Sequence, residues 1–324
     1  RLFSGDLRLG NLEFSINNEW LIEKLLRYSV PPSFAEPLIE DKRYGRYDCL
    51  FLSNNHINDS LSGGIKSTCK YLDEIGMKHV GANISREAQD QFPIIDVQGI
   101  KVAVLSYTFT TNGIPLEDDF TFGTNVIKFN SLKDEDYDPS LIHHHIELAK
   151  KRGADFIISS HHWGVEYEYY PSERLVKRAH ALLDQGIDLI IGHHPHILNL
   201  SERYKTRDGR EAFVLYSLGN LTAFGLLLPI QKLGAVAEIE LETGIDSNQK
   251  KIVRIGKVTI MPTLHTRNKK NGTVYHKLVP ILSFAEKIRT EKSVPSLSFK
   301  DKRAILKLEK EFRKYLNQKG IEYI

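Results

Sequence analysis

The chain has 324 residues, long enough for one large core or for a catalytic domain with a lobe, and its 26% charged and 41% hydrophobic residues are ordinary for a globular protein. A formal net charge of +3, with basic residues interleaved among acidic ones, excludes a nucleic-acid footprint. No apolar run approaches the ~20 residues that a membrane-crossing helix needs, and two cysteines are too few for a disulfide framework. Cys49 sits in an apolar run and Cys69 in a predicted helix, so both read as buried thiols. The first residue is Arg rather than Met, so the reading leaves room for a leader or anchor ahead of it.

Along the chain, apolar runs rich in Val, Ile, Phe and Tyr alternate with helical periodicity, the pattern of an α/β protein. Strands are predicted at residues 49–52, 79–81, 102–107, 156–159, 189–191, 213–217, 236–241 and 258–261. Helices are predicted at 65–75, 141–152 and 173–185, stopped by Gly76, Gly153 and Gly186. Ser172 is the N-cap of the third, after Pro171. Gly63 and Gly64 read as a plain helix start. Beyond about residue 234 the β-runs have no helices between them, so the second half is expected to be mixed or antiparallel. The basic piece Arg267-Asn268-Lys269-Lys270 reads as solvated loop charge. Residues 299–319 form an amphipathic pattern in which Ile305, Leu306, Leu308, Phe312 and Tyr315 lie near helical spacing, which predicts a helix docked on the body.

Four polar clusters each end one of these runs: Asn11-Leu12-Glu13, Asn54-Asn55-His56, His161-His162-Trp163-Gly164-Val165-Glu166 and Gly192-His193-His194-Pro195-His196. They hold six of the thirteen histidines. Imidazoles two residues apart on a turn at a sheet edge can both reach a metal or a metal pair. Phosphoester hydrolysis by two metals needs a bridging carboxylate, neutral nitrogen or oxygen ligands, and an acid for the leaving group. Glu13 is the candidate bridging carboxylate, Asn55 an oxygen ligand, and His162, His194 and His196 the imidazole ligands. His56 is the candidate general acid, with Asp59 to orient or charge it. Mixed His, Asn and carboxylate ligation suits one or two ions of manganese, iron or zinc. Glu166 is open between loop packing and a catalytic contact to substrate or metal, while Tyr167, Tyr169 and Tyr170 read as packing. His143, His144 and His145 are assigned to the helix surface, and His79, His180, His265 and His276 stay without a role.

These residues resemble the capsule-synthesis CapA family (poly-gamma-glutamate synthesis), a branch similar to the calcineurin-like metallophosphoesterases. The resemblance is carried by Asp6-Leu7 with Asn11-Leu12-Glu13, Asn54-Asn55-His56 with Asp59, His162-Trp163-Gly164 with Glu166, Gly192 to His196, and Ser217-Leu218-Gly219-Asn220. It implies a metallophosphoesterase-like four-layer α/β/β/α sandwich of two mixed sheets, with the site where strand ends converge. The matching motifs stretch to about residue 220; the chain is expected to form a CapA-like domain over residues 1–265 and a C-terminal appendage over 266–324, its terminal helix packed on the body. The family's first metal-binding Asp normally lies well ahead of the Asn-Leu-Glu cluster. Here only Asp6 is available, five residues before Asn11 and too close for an intervening helix. Leu221 stands where the family tends to have Phe.

The function expected from the resemblance is biosynthesis of an anionic cell-envelope polymer at the extracytoplasmic face, through a metal-dependent phosphoesterase, hydrolase or transferase site. The partners would be that polymer or a phosphoester substrate, and a membrane-bound polymer synthase. Two alternatives stand beside it. One is a non-catalytic accessory subunit that binds the polymer or the synthase, and the other is a cytosolic phosphodiesterase, for which the chain offers no Gly-rich phosphate loop.

Overall fold

The apolar run at Leu50 becomes the middle strand of a small parallel sheet in the computed structural model, which describes residues 4–18, 27–41, 45–223, 229–246, 249, 251–270, 273–291, 297–318 and 321–324. The N-terminal region runs β1 (Leu9–Asn11), β2 (Ser15–Ile16), β3 (Ser29–Val30), α1 (Pro32–Ile39), β4 (Glu40–Asp41), β5 (Gly45–Arg46), β6 (Cys49–Phe51), α2 (Leu61–Glu74) and β7 (Lys78–Val80). β6 pairs in parallel with β1 and β7, and Asn11 lies beside Phe51 in the register. On α2 the buried residues Ile65, Thr68, Cys69 and Leu72 follow one helical stripe, and the apolar members pack in a cluster with Leu50, Leu52 and Ile57. Both thiols are free and buried, as the sequence predicts.

A six-stranded sheet follows, from β8 (Ile94–Val97), β9 (Ile100–Thr108), α3 (Ser140–Lys151), β10 (Phe156–His162), α4 (Glu173–Gln185), β11 (Leu189–His193), β12 (Ser201–Lys205) and β13 (Glu211–Leu215). Its order is β12-β13-β11-β10-β9-β8, with a parallel core and antiparallel edge strands β8 and β12. Every residue of β10 is buried, polar and apolar alike, as expected for a central parallel strand covered on both faces. α4 begins as predicted, Ser172 Oγ accepting the Leu175 N–H at 3.2 Å. The predicted strands and helices in this region are present; β9, β10 and β11 are longer by a few residues, while β13 and α3 keep the predicted length but start one or two residues earlier.

Surface placement of the His143 to His145 run is corrected at its last member. His145 is buried with Ile142, Ile146 and Ala149 on the face of α3 that meets the sheet. Its ring bonds the Tyr107 hydroxyl at 2.8 Å and Asp90 at 3.2 Å, which offsets the cost of burying it. Residues 142, 145, 146 and 149 already fall on one helical stripe, so the spacing carried this signal.

The third sheet is β14 (Leu233–Ile245), β15 (Lys251–Lys270) and β16 (Thr273–Pro280), antiparallel throughout, with β17 (Glu322–Tyr323) parallel to β15. This matches the expected change of pattern after residue 234. It also corrects the reading of Arg267 to Lys270 as a loop, since these residues continue β15 and pair with Thr273 to His276 of β16. α5 (Ile281–Thr290) and α6 (Phe299–Tyr315) close the chain. α6 docks through Ile305, Leu308 and Phe312, and one apolar cluster runs from these through Leu264 and Val279 to the six-stranded sheet. Glu309 of α6 binds Arg289 of α5 and Arg313. α6 ends at Tyr315, short of the predicted end at Lys319, which lies outside the described residues. Among the described residues no helix is long and apolar enough to cross a membrane.

Candidate metal centre

The four clusters meet because parallel strands carry them to the same ends. β10 and β11 are register partners, with His162 beside His193, so the loops that follow start side by side. β1 and β6 likewise deliver Asn11 and Phe51 together, and Glu13 and Asn55 follow within a few residues. The C-terminal edge of parallel strands is where loops can converge without breaking the sheet hydrogen bonds. Gly192 makes the β11 exit feasible: a Cβ there would lie 2.0 Å from the Tyr216 carbonyl oxygen.

One ligand atom each from Glu13, His162 and His194 lies within 4.8 Å of the others. His162 Nε2 is 2.8 Å from Asn55 Oδ1 and 3.6 Å from Glu13 Oε1. His196 Nε2 lies 3.5 Å from the same Glu13 oxygen. Asn11 Nδ2 donates to the other oxygen, Oε2, at 3.1 Å. His194 and His196 hold positive φ values of 97° and 55°, a conformation uncommon for residues with a Cβ, so the turn spends strain to aim both rings. His56 Nδ1 bonds Asp59 Oδ2 at 2.8 Å, and the same oxygen accepts the Tyr28 backbone N–H. Glu166 is exposed, yet its charge is felt at Glu13. Asp6 is exposed, and among the described residues it is not one of those whose ligand atoms gather within 4.8 Å with Glu13.

Burial sets the charge state. It pushes the Glu13 carboxyl up, with His196 and His56 opposing. It holds His162 well below the usual imidazole range, and lowers His194 to about 3, with neighbouring imidazoles adding to both shifts. Both rings are therefore neutral near pH 7, the form that offers a lone pair to a cation. Glu13 Oε1, His162 Nδ1 and His194 Nδ1 are buried without a hydrogen-bond partner among the described residues. Buried polar atoms normally have partners. Two neutral imidazoles and a carboxylate, with ligand atoms gathered within 4.8 Å, fit a divalent transition metal.

Four supporting residues escaped the sequence reading. Asn220 Oδ1 bonds His196 Nδ1 at 2.9 Å while its Nδ2 donates to the His196 and Gln231 carbonyls, which fixes the ring. Asn112 Oδ1 accepts from Asn55 Nδ2 at 3.1 Å. Tyr28 sets its ring edge-on to His56, with centroids 4.4 Å apart. His193 is lowered to about 4 by burial and leaves Nε2 unpartnered. Only Asn220 and His193 stood inside a noticed cluster. The packing role expected of Tyr167, Tyr169 and Tyr170 is corrected, since they are 45, 47 and 53% exposed on the loop after β10. Trp163 does the packing there, fully buried with its indole N–H on the Tyr216 carbonyl.

Comparisons with known proteins give the family of the chain. The chain is 31% identical over 229 residues to the capsule biosynthesis protein CapA of Bacillus anthracis, covering 68% of this chain and 51% of that one. It is 26% identical to the PGA biosynthesis protein CapA of Bacillus subtilis, with 67% and 61% covered. It is 30% identical to a probable polyglutamine synthesis accessory protein of Mycobacterium tuberculosis, with 67% and 55% covered. The chain thus spans little more than half the length of these relatives. A family model for the bacterial capsule synthesis protein PGA_cap matches residues 1–224, the stretch that holds every residue of the centre. By that match the chain belongs to the bacterial capsule synthesis (PGA_cap) family.

Proposed function

We propose that the chain acts in biosynthesis of an anionic, poly-gamma-glutamate-type envelope polymer as a metal-dependent hydrolase or transferase. The observation that carries this reading is the trio Glu13, His162 and His194, whose ligand atoms lie mutually within 4.8 Å, with both imidazoles buried and Glu13 half-buried. Asn55 and His196 complete the set of residues that would hold one or two ions of manganese, iron or zinc. When bound, such an ion lowers the pKa of a water and neutralises charge on substrate oxygens.

The chain's own residues supply the rest. His56, when doubly protonated, keeps its Nδ1 proton on Asp59 and gives the Nε2 proton to the leaving oxygen. Asp59 is fully buried and fixes the ring, and the Tyr28 N–H on the same oxygen fixes Asp59. Glu166, exposed at the rim, faces the substrate side. The bond acted on is a phosphoester, or an acyl or amide bond of the polymer. The reading extends to a metallophosphoesterase-like sandwich, supported by parallel strand ends that meet at the site, and to an envelope location, supported by the names of the Bacillus relatives. The proposed partners are the polymer itself and a membrane-bound synthase.

The Mycobacterium relative is described as an accessory protein, which favours a second reading in which the same cleft binds polymer or synthase without turnover. One experiment separates the two. Protein purified without chelator is assayed for metal content and for cleavage of bis(p-nitrophenyl) phosphate, beside His56→Ala. The enzyme reading expects bound transition metal, and a fall of roughly 10²–10⁴ in turnover for His56→Ala with metal content retained. Turnover unchanged in the variant rejects the role of His56, and wild-type protein with neither metal nor turnover favours the accessory role.

A further inference from the structure

Tyr28 stands at the mouth of the centre in a way the catalytic reading does not use. It lies just ahead of β3, is 38% exposed, and is fixed by two contacts, its N–H on Asp59 Oδ2 and its ring edge-on to His56 at 71°. Across the opening, Tyr167 holds a φ of 67° with its N–H on the Pro195 carbonyl at 2.8 Å, and its ring lies 6.2 Å from that of His196. Two half-exposed phenols therefore flank the acid histidine on one side and a ligand histidine on the other. Tyr167 lies beside Glu166, whose charge adds to the burial that holds its hydroxyl above the usual phenol range.

We propose that Tyr28 is a substrate-binding residue whose neutral O–H donates to a phosphoryl oxygen held at this centre. This rests on the metal-dependent reading above and names the chemical group that the site takes. Three carboxylates act on this phenol: Glu13 and Glu166 near the opening, and the buried Asp59 behind His56. A lysine or arginine there would be drawn to them, and among the described residues the ion pairs of Glu13 and Asp59 are all with histidines. A phenol avoids that competition, being uncharged and a good donor. The burial of Tyr28 and the negative charges of Asp59, Glu13 and Glu166 keep its proton on. A tetrahedral phosphoryl group suits the arrangement better than a planar carboxylate, because oxygens remain to meet the phenol and His56 after others face the ligand trio. The ring edge over His56 also places the phenol beside the group that would protonate the leaving oxygen.

The test is calorimetric titration of manganese-loaded protein with inorganic phosphate, and separately with glutarate, for wild type, Tyr28→Phe and Tyr170→Phe. Manganese affinity is measured first on each. The expected result is unchanged manganese binding in all three, phosphate binding weakened roughly tenfold in Tyr28→Phe, the loss of one hydrogen bond to a charged group, no change in Tyr170→Phe, and glutarate bound more weakly than phosphate. Equal phosphate affinity in wild type and Tyr28→Phe overturns the proposal. So does wild-type protein that binds manganese but no phosphate, or that binds glutarate and not phosphate. Failure of wild type to bind manganese overturns the metal reading itself, a separate outcome.

Discussion

His145 and His265 lie away from the metal centre and are lowered to about 4, chiefly by burial, with Asp90 opposing the shift at His145 and His276 and Lys232 adding to it at His265. An unfolded histidine titrates near 6.5. Below that value the unfolded chain binds protons that the folded one refuses, so stability rises with pH across this window. The contribution of each ring is fully present above about pH 6.5 and drains away as the pH falls toward 4. Thermal unfolding should therefore show Tm several degrees lower near pH 5 than near pH 7, and replacing His145 by Gln should flatten part of that slope. A Tm that is flat across this range would contradict the burial argument. His145 was misread from sequence because three successive histidines drew attention to their adjacency, whereas the stripe shared with Ile142, Ile146 and Ala149 decided the matter.

β10 and β11 are the elements on which the centre depends, and both were visible as short apolar runs, built on Phe156, Ile157 and Ile158 and on Leu189, Ile190 and Ile191, that end in histidine. Pattern alone also marked α4 with its Ser172 cap, and the residues Glu13, Asn55, His162 and His194 that the fold brings together. Asn112 and Tyr28 were not legible, because they reach the site from loops with no periodicity and matter only through contacts 57 residues from Asn55 and 28 residues from His56 in the chain. The exposed tyrosines were misjudged for a related reason: aromatic content says nothing about which rings the loop can bury, and Trp163 took the available space. Gly192 belongs to this scale as well. Gly192→Ala should cost more than about 3 kcal/mol, because a Cβ 2.0 Å from a backbone carbonyl forces β11 away from the chain at Tyr216. Gly63→Ala, in α2 with nothing within 4 Å of its Cβ, should be neutral or stabilising by up to about 1 kcal/mol. Denaturant unfolding of the two variants checks the contrast, and equal midpoints would show that the close approach at Gly192 is not a constraint.

For the whole molecule, one apolar cluster ties the six-stranded sheet to β14, β15 and β16 and to α6, so the last hundred residues brace the sheet that carries the histidines. The family match ends at residue 224, yet the bracing explains why the chain continues to fold past it: Leu264, Val279, Ile305 and Phe312 complete a core that the matched part leaves open on one side. The β-runs without intervening helices after residue 234 pointed to a mixed or antiparallel sheet, although not to β15 extending through Lys270. The central claim is that segments far apart in the chain converge on one cation. Crystals soaked in manganese and measured for anomalous scattering test it most directly. The account predicts a peak bounded by Glu13, His162 and His194, lost in His194→Ala; density at those side chains with no anomalous peak, or a peak only elsewhere on the molecule, would contradict it.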